Sequence, residues 1–88
     1  MSPQPDRSSA RFRFAGAIDT AAFAAFAADR VRRLDLRGLP MVDGDAVVCD
    51  VWGWPDLVDA FEMACLIGPA GSLVTEFERT DSIQARRG

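Results

Sequence analysis

The sequence predicts an α+β domain in which two helices lie on one face of an antiparallel four-stranded sheet. Three observations predict it. Arg11-Phe-Arg-Phe14 alternates charged and aromatic residues, and Ala46–Trp52 is a β-branched apolar run bounded by glycine, so both read as strands. Two longer segments, from Asp19 to about Leu34 and from Pro55 to Gly68, repeat their apolar residues at helical spacing. Glycine and proline separate these blocks so that the order is strand, helix, strand, strand, helix, strand.

Each element has its own signal. In the first strand Phe12 and Phe14 point inward and Arg11 and Arg13 outward, because successive side chains alternate faces. Gly16 breaks that strand, and Asp19 or Thr20 can cap the helix that follows, since either side chain accepts from the orphan N–H groups of a first turn. Phe23, Phe26, Ala27, Val31 and Leu34 form its inner stripe, with Arg30 the charged exception. Asp29 and Arg33 make an i,i+4 pair, Arg30, Arg32 and Arg33 suit the negative end of the helix, and Gly38 is the expected stop. Leu39-Pro-Met-Val42 suits a short edge strand, and Asp43-Gly-Asp45 a tight hairpin turn. In the strand Ala46–Trp52, Val47, Cys49 and Val51 share the inner face, and Val48, Asp50 and Trp52 the outer. Pro55 and Asp56 open the second helix, Val58, Phe61, Ala64 and Cys65 are its inner stripe, and Gly68-Pro69 ends it. Leu73–Glu78 is the last strand, with Val74 and Phe77 in the core. Residues 1–9 and 80–88 are polar and are expected as tails around a domain over 10–79, the second with weak strand character near Ile83. The order is the split βαβ, or ferredoxin-like, arrangement, which leaves one sheet face uncovered.

Composition narrows the chemistry. The chain has 88 residues and a net charge of −3, enough for one small core that buries roughly 60–65% of the unfolded surface. It contains no His, Lys, Tyr or Asn. The commonest general acid/base and metal ligand are therefore missing, as are a Schiff-base lysine and the lysine of a phosphate-binding loop. The acidic balance argues against a nucleic-acid binder. An RNA-binding sheet would also want stacking aromatics on both central strands, and the first strand offers only Arg11 and Arg13 outward. Cys49 and Cys65 form no CxxC motif and are most simply small buried hydrophobes on inward faces. Neither a signal peptide nor a membrane-crossing run is present, so the expected setting is cytoplasmic, with reduced thiols, no cofactor and no metal.

With these elements in register, the chain resembles the acylphosphatases from Arg11 to Glu78. Gly16, Ile18 and Phe23 match the family's first strand-to-helix run, and Gly53, Asp59-Ala-Phe61, Gly68-Pro69 and Val74 match its second half. The resemblance implies a loop, here Gly16, Ala17, Ile18, Asp19, Thr20, Ala21 and Ala22, that cradles a phosphoryl group on backbone N–H donors. It also implies an Arg clamping the phosphoryl oxygens and an Asn orienting the attacking water. Those two positions are Ala24 and Val42 here, and the loop's Gln and Gly are Asp19 and Thr20. Removing a charge clamp and a water-positioning group each costs orders of magnitude in rate, so no catalytic residue is expected.

The expected function is therefore a non-catalytic acylphosphatase-like module that binds a protein partner or a second copy of itself. The alternative is a divergent acylphosphatase hydrolysing acyl phosphates. The expected interface is the uncovered sheet face, with Arg11, Arg13, Val48, Asp50 and Trp52, since Trp and Arg are enriched where proteins bind one another, or else an edge strand. The competing reading is that Trp52 and Trp54 only cover the sheet end and the entry to the second helix. The loop reads more simply as a plain helix cap than as a ligand site, and the arginines from 30 to 37 as a solvated helix end rather than a phosphate or RNA patch.

Overall fold

The computed structural model describes residues 7–82. The elements are β1 (Ser8–Ala17), α1 (Thr20–Arg33), β2 (Pro40–Asp43), β3 (Ala46–Gly53), α2 (Pro55–Ile67) and β4 (Leu73–Ser82). They form one sheet in the order β2-β3-β1-β4, with every neighbouring pair antiparallel. The βαββαβ order and the two-helix, four-strand composition are those expected from the sequence.

The core lies between the sheet and the helices. Phe12 and Phe14 from β1, Val47, Cys49 and Val51 from β3, Phe23, Ala27 and Val31 from α1, and Val58, Phe61 and Cys65 from α2 are buried together. The aromatic rings bind the layers to one another: Phe12 lies 5.4 Å from Phe61, and Phe14 lies 5.3 Å from Phe23. Such tilted pairs add about 0.5–1.5 kcal/mol beyond the area they bury.

The strands β1 and β4 are both longer than their hydrophobic patterns. Ser8 and Ser9 pair with Gly53 and Trp52, and β4 continues through Thr80 to Ser82, opposite Ser9. The expected tails therefore give up Ser8, Ser9 and Thr80–Ser82 to the sheet, because backbone N–H and C=O groups pair whatever the polarity of the side chains. The rest of those tails, apart from Arg7, lies outside the described residues.

Helix α1 ends about where expected, at Arg33 with Leu34 as its C-cap, but Asp35 rather than Gly38 closes it. Asp35 adopts a left-handed conformation, φ 58°. Its N–H donates to the Arg32 carbonyl at 3.2 Å, and the Leu36 N–H donates to the Val31 carbonyl at 2.9 Å. This paired closure satisfies carbonyls that the helix end leaves open, and Asp is one of the few side chains that tolerates the left-handed region. Gly38 is required for a different reason. A Cβ there would sit 1.9 Å from the Asp50 carbonyl oxygen. The chain passes so close because Arg37 and Trp52 exchange two backbone hydrogen bonds of 2.9 Å.

Val74 and Phe77 both pack against the core, although residues three apart fall on opposite faces of a regular strand. The register with β1 shifts between Ala15 and Gly16, which pair with Glu76 and Val74, so Thr75 is an extra residue in a bulge. A Cβ on Gly16 would lie 2.6 Å from the Thr75 nitrogen, so glycine is what lets β1 approach there.

Candidate functional site

The segment that the resemblance marks as a phosphoryl cradle is mostly regular structure. Gly16 and Ala17 end β1, Ile18 and Asp19 make the connection, and Thr20, Ala21 and Ala22 form the first turn of α1. Asp19 is the N-cap: its carboxylate accepts the Ala22 N–H at 3.1 Å, and its carbonyl accepts the Phe23 N–H at 2.8 Å. Ile18 packs against the core. A small hollow of about 80 Å³ lies beside the cap, lined by Asp19, Ala22 and the Pro69–Ser72 turn. The open end of the helix, which would attract an anion through its dipole and free N–H groups, is thus met by the chain's own carboxylate. Ala24 is half-buried against the core, and Val42 is exposed on β2, opposite Val47.

The five residues expected on the uncovered sheet face do share it. Arg11 lies opposite Asp50 and Arg13 opposite Val48, while Trp52 is paired with Ser9. Arg11 grips Asp50 with two hydrogen bonds, Nε to Oδ1 at 2.8 Å and Nη2 to Oδ2 at 2.9 Å. These bonds hold the Asp50 carboxyl below the usual carboxylate range. The pair is exposed, so its value is mainly geometric: it fixes the two side chains to each other across β1 and β3. Met41 from β2 faces Val48, and Glu78 from β4 faces Arg13. Shallow grooves run across this face, one lined by Arg11, Leu39, Met41, Val42, Asp43, Val48 and Asp50. Leu39, Met41 and Val42 are exposed apolar residues at the β2 edge.

Two arginines escaped sequence reasoning. Arg7 stacks its guanidinium 4.0 Å from the Trp54 ring centroid and 5.6 Å from that of Trp52. No pattern around Arg7 signals this, because the contact depends on the strand extension that brings residue 8 opposite Gly53. Arg79 faces the helices and bridges Glu62, Asp59 at 3.0 Å and Asp81 at 2.7 Å, over the ring of Phe12. That one was legible: Arg79 follows Phe77 by two and so shares its face. Three more arginines sit at the end of α1, where Asp29 accepts from Arg30, Arg32 and Arg33, with Arg33 at 2.7 Å.

Both thiols are free and fully buried. Burial pushes Cys49 up to about 12, with the charge of Asp50 adding to it. Burial pushes Cys65 higher still, helped by its neighbour Cys49 and opposed by Arg30. Thiols held in this way are poor nucleophiles at neutral pH. Among the described residues no helix is long and apolar enough to cross a membrane, and no group of three or more Cys, Asp or Glu is placed to hold a metal ion.

No protein-family model matches the sequence, and no curated protein matches it. Solved structures match the fold. The acylphosphatase from Bacillus subtilis is 22% identical, with a TM-score of 0.80 over 92% of this chain and 90% of that one. An acylphosphatase from Coxiella burnetii gives 0.80 at 13% identity, over 92% of this chain and 86% of that one. Full-length HypF, in its phosphate- and nucleotide-bound form, gives 0.81 at 16% identity over 93% of this chain, which corresponds to only 11% of HypF. The fold is that of the acylphosphatases.

Proposed function

We propose that this chain is a non-catalytic module of acylphosphatase fold that binds a protein partner, or a second copy of itself, through the uncovered sheet face. The observation that carries the non-catalytic part is the Asp19 cap. A carboxylate already accepts from the first turn of α1, at the place where the resemblance puts a bound phosphoryl group. A second negative charge within a few ångström costs an anionic ligand on the order of 1 kcal/mol or more. Ala24 and Val42 supply neither a cationic clamp nor a hydrogen bond to water. The binding part is supported by the arrangement of Arg11, Arg13, Val48, Asp50 and Trp52 on one accessible face. The alternative, a divergent acylphosphatase, is favoured by the fold likeness alone.

Hydrolysis of benzoyl phosphate, followed by absorbance, separates the two readings. The expected rate equals that of buffer. Turnover by the unmodified protein that is lost in Asp19→Ala would overturn the non-catalytic reading.

A further inference from the structure

At one end of the sheet, Trp52 and Trp54 stand two residues apart around Gly53, and both remain exposed, at 39% and 38%. Together with Gly53, Asp35, Arg37 and Arg7 they line a cavity of about 220 Å³. Its walls are fixed. Asp35 sits in the left-handed closure of α1, Arg37 is tied to Trp52 by two backbone hydrogen bonds, and Trp54 is the N-cap of α2. Gly53 is buried against Leu36, whose Cδ2 would lie 2.5 Å from a Cβ at that position. Among the described residues, the Arg7 guanidinium enters this frame, within cation–π range of both indoles.

We propose that the Trp52–Trp54 pair is a binding site for an arginine side chain of a protein partner, with Arg7 as the intramolecular occupant that the partner displaces. The proposal rests on the reading of the uncovered face as an interaction surface, since Trp52 belongs to both. The guanidinium is the chemistry the site is seen to accept, and its planar, weakly hydrated group stacks on indole in a way that an ammonium does not. Arg7 precedes the first residue of β1, so it leaves the indoles without breaking the Ser8–Gly53 pairing. Charge favours the exchange as well. The outward positions of β2, β3 and β4 carry Asp43, Asp50, Glu76 and Glu78 against Arg11 and Arg13 of β1, and the whole chain has a net charge of −3. A basic partner therefore meets a complementary field across the sheet face, and Asp35 is the carboxylate in the wall of the site itself.

The test uses the full chain, whose only two tryptophans are those of the site, so intrinsic fluorescence reports occupancy. The probes are the peptide acetyl-Gly-Ser-Arg-Ser-Gly-amide and its counterpart with neutral citrulline. Saturable quenching or shift by the arginine peptide alone is expected. Arg7→Ala should bind it about three- to sixfold more tightly, the competition removed when one exposed cation–π occupant is deleted. Arg7→Ala combined with Trp54→Phe should bind it more weakly than Arg7→Ala. Equal affinity of wild type and Arg7→Ala, equal response to the citrulline peptide, or a response to inorganic phosphate instead would overturn the proposal. So would a concentration-dependent dimer that Arg7→Ala dissociates, because the occupant would then be a second copy. Light scattering of Arg13→Glu, far from the indoles, keeps the two readings apart. Association lost in Arg13→Glu with flat peptide titrations removes the arginine site and leaves the face; flat results in both remove both.

Discussion

Moderate alkali should destabilise this protein through its two thiols. In the folded state Cys49 and Cys65 are fully buried, and burial raises both above the ordinary value of 9.0, Cys49 to about 12. Below pH 9 both the folded and the unfolded chain hold these protons. Above it the unfolded chain releases protons that the native state keeps, so stability falls as pH rises and levels off only when the buried thiols ionise, from about pH 12. The slope approaches about 1.4 kcal/mol per pH unit for each thiol. At pH 10.5 that amounts to about 2 kcal/mol per thiol and about 4 for the pair, out of a total of about 5–15 for a domain of this kind. The chain has no Lys and no Tyr, the side chains that normally obscure this range. Urea midpoints measured under reducing conditions between pH 8 and 10.5 should therefore drop steadily beyond pH 9. Cys65→Ala should show about half the slope. A stability that stays flat to pH 10.5, or the same slope in the Cys49→Ala/Cys65→Ala double variant, would refute the reasoning.

Three further outcomes are expected. Phe23→Ala and Phe61→Ala, each removing a fully buried ring that packs on a β1 phenylalanine, should cost about 3–5 kcal/mol in chemical denaturation. Gly38→Ala should lower stability by about 2 kcal/mol or more, because its Cβ would meet the Asp50 carbonyl and the chain would have to move away from β3; a melting temperature equal to wild type would remove that account. Trp52→Ala should weaken a partner or dimer contact by about 2 kcal/mol while circular dichroism stays native. A Trp52→Ala protein that associates normally and unfolds more easily would make that indole structural.

What the sequence revealed followed from repeating patterns, and what it hid followed from single contacts. The inward faces of β1 and β3 were legible because Phe12, Phe14, Val47, Cys49 and Val51 keep strict alternation and all five are buried. The Asp19 cap was legible as one of two candidates, and the structure assigns it to Asp19. The residue that closes α1 was not: glycine outranks aspartate as a helix stop on propensity, and only the bonds from Asp35 and Leu36 show which residue turned the chain. The ends of β1 and β4 were hidden because Ser8, Ser9 and Thr80–Ser82 carry no apolar pattern and are held by backbone pairing. Of the expected interface, the shared face was predictable from alternation, whereas the two-bond Arg11–Asp50 grip depended on the register between strands distant in sequence.

The extra residue in β4 bears on how a foreign strand could meet the edge of this sheet. β4 is a ten-residue border strand with one hydrogen-bonded neighbour, and such a border is a template for another chain's strand. Thr75 interrupts it without disturbing the packing. Remove Thr75 and the remaining residues alternate as an unbroken strand, with Val74, Phe77 and Arg79 still turned toward the helices. The bulge thus adds nothing to the core pattern and changes only the line of the border, which it kinks and twists. The opposite border is only four residues long and starts at Pro40. With one rim kinked and the other short, ladder-type association that could spread without limit is disfavoured at both, which is consistent with the proposal that contact is made by side chains on the broad side of the sheet.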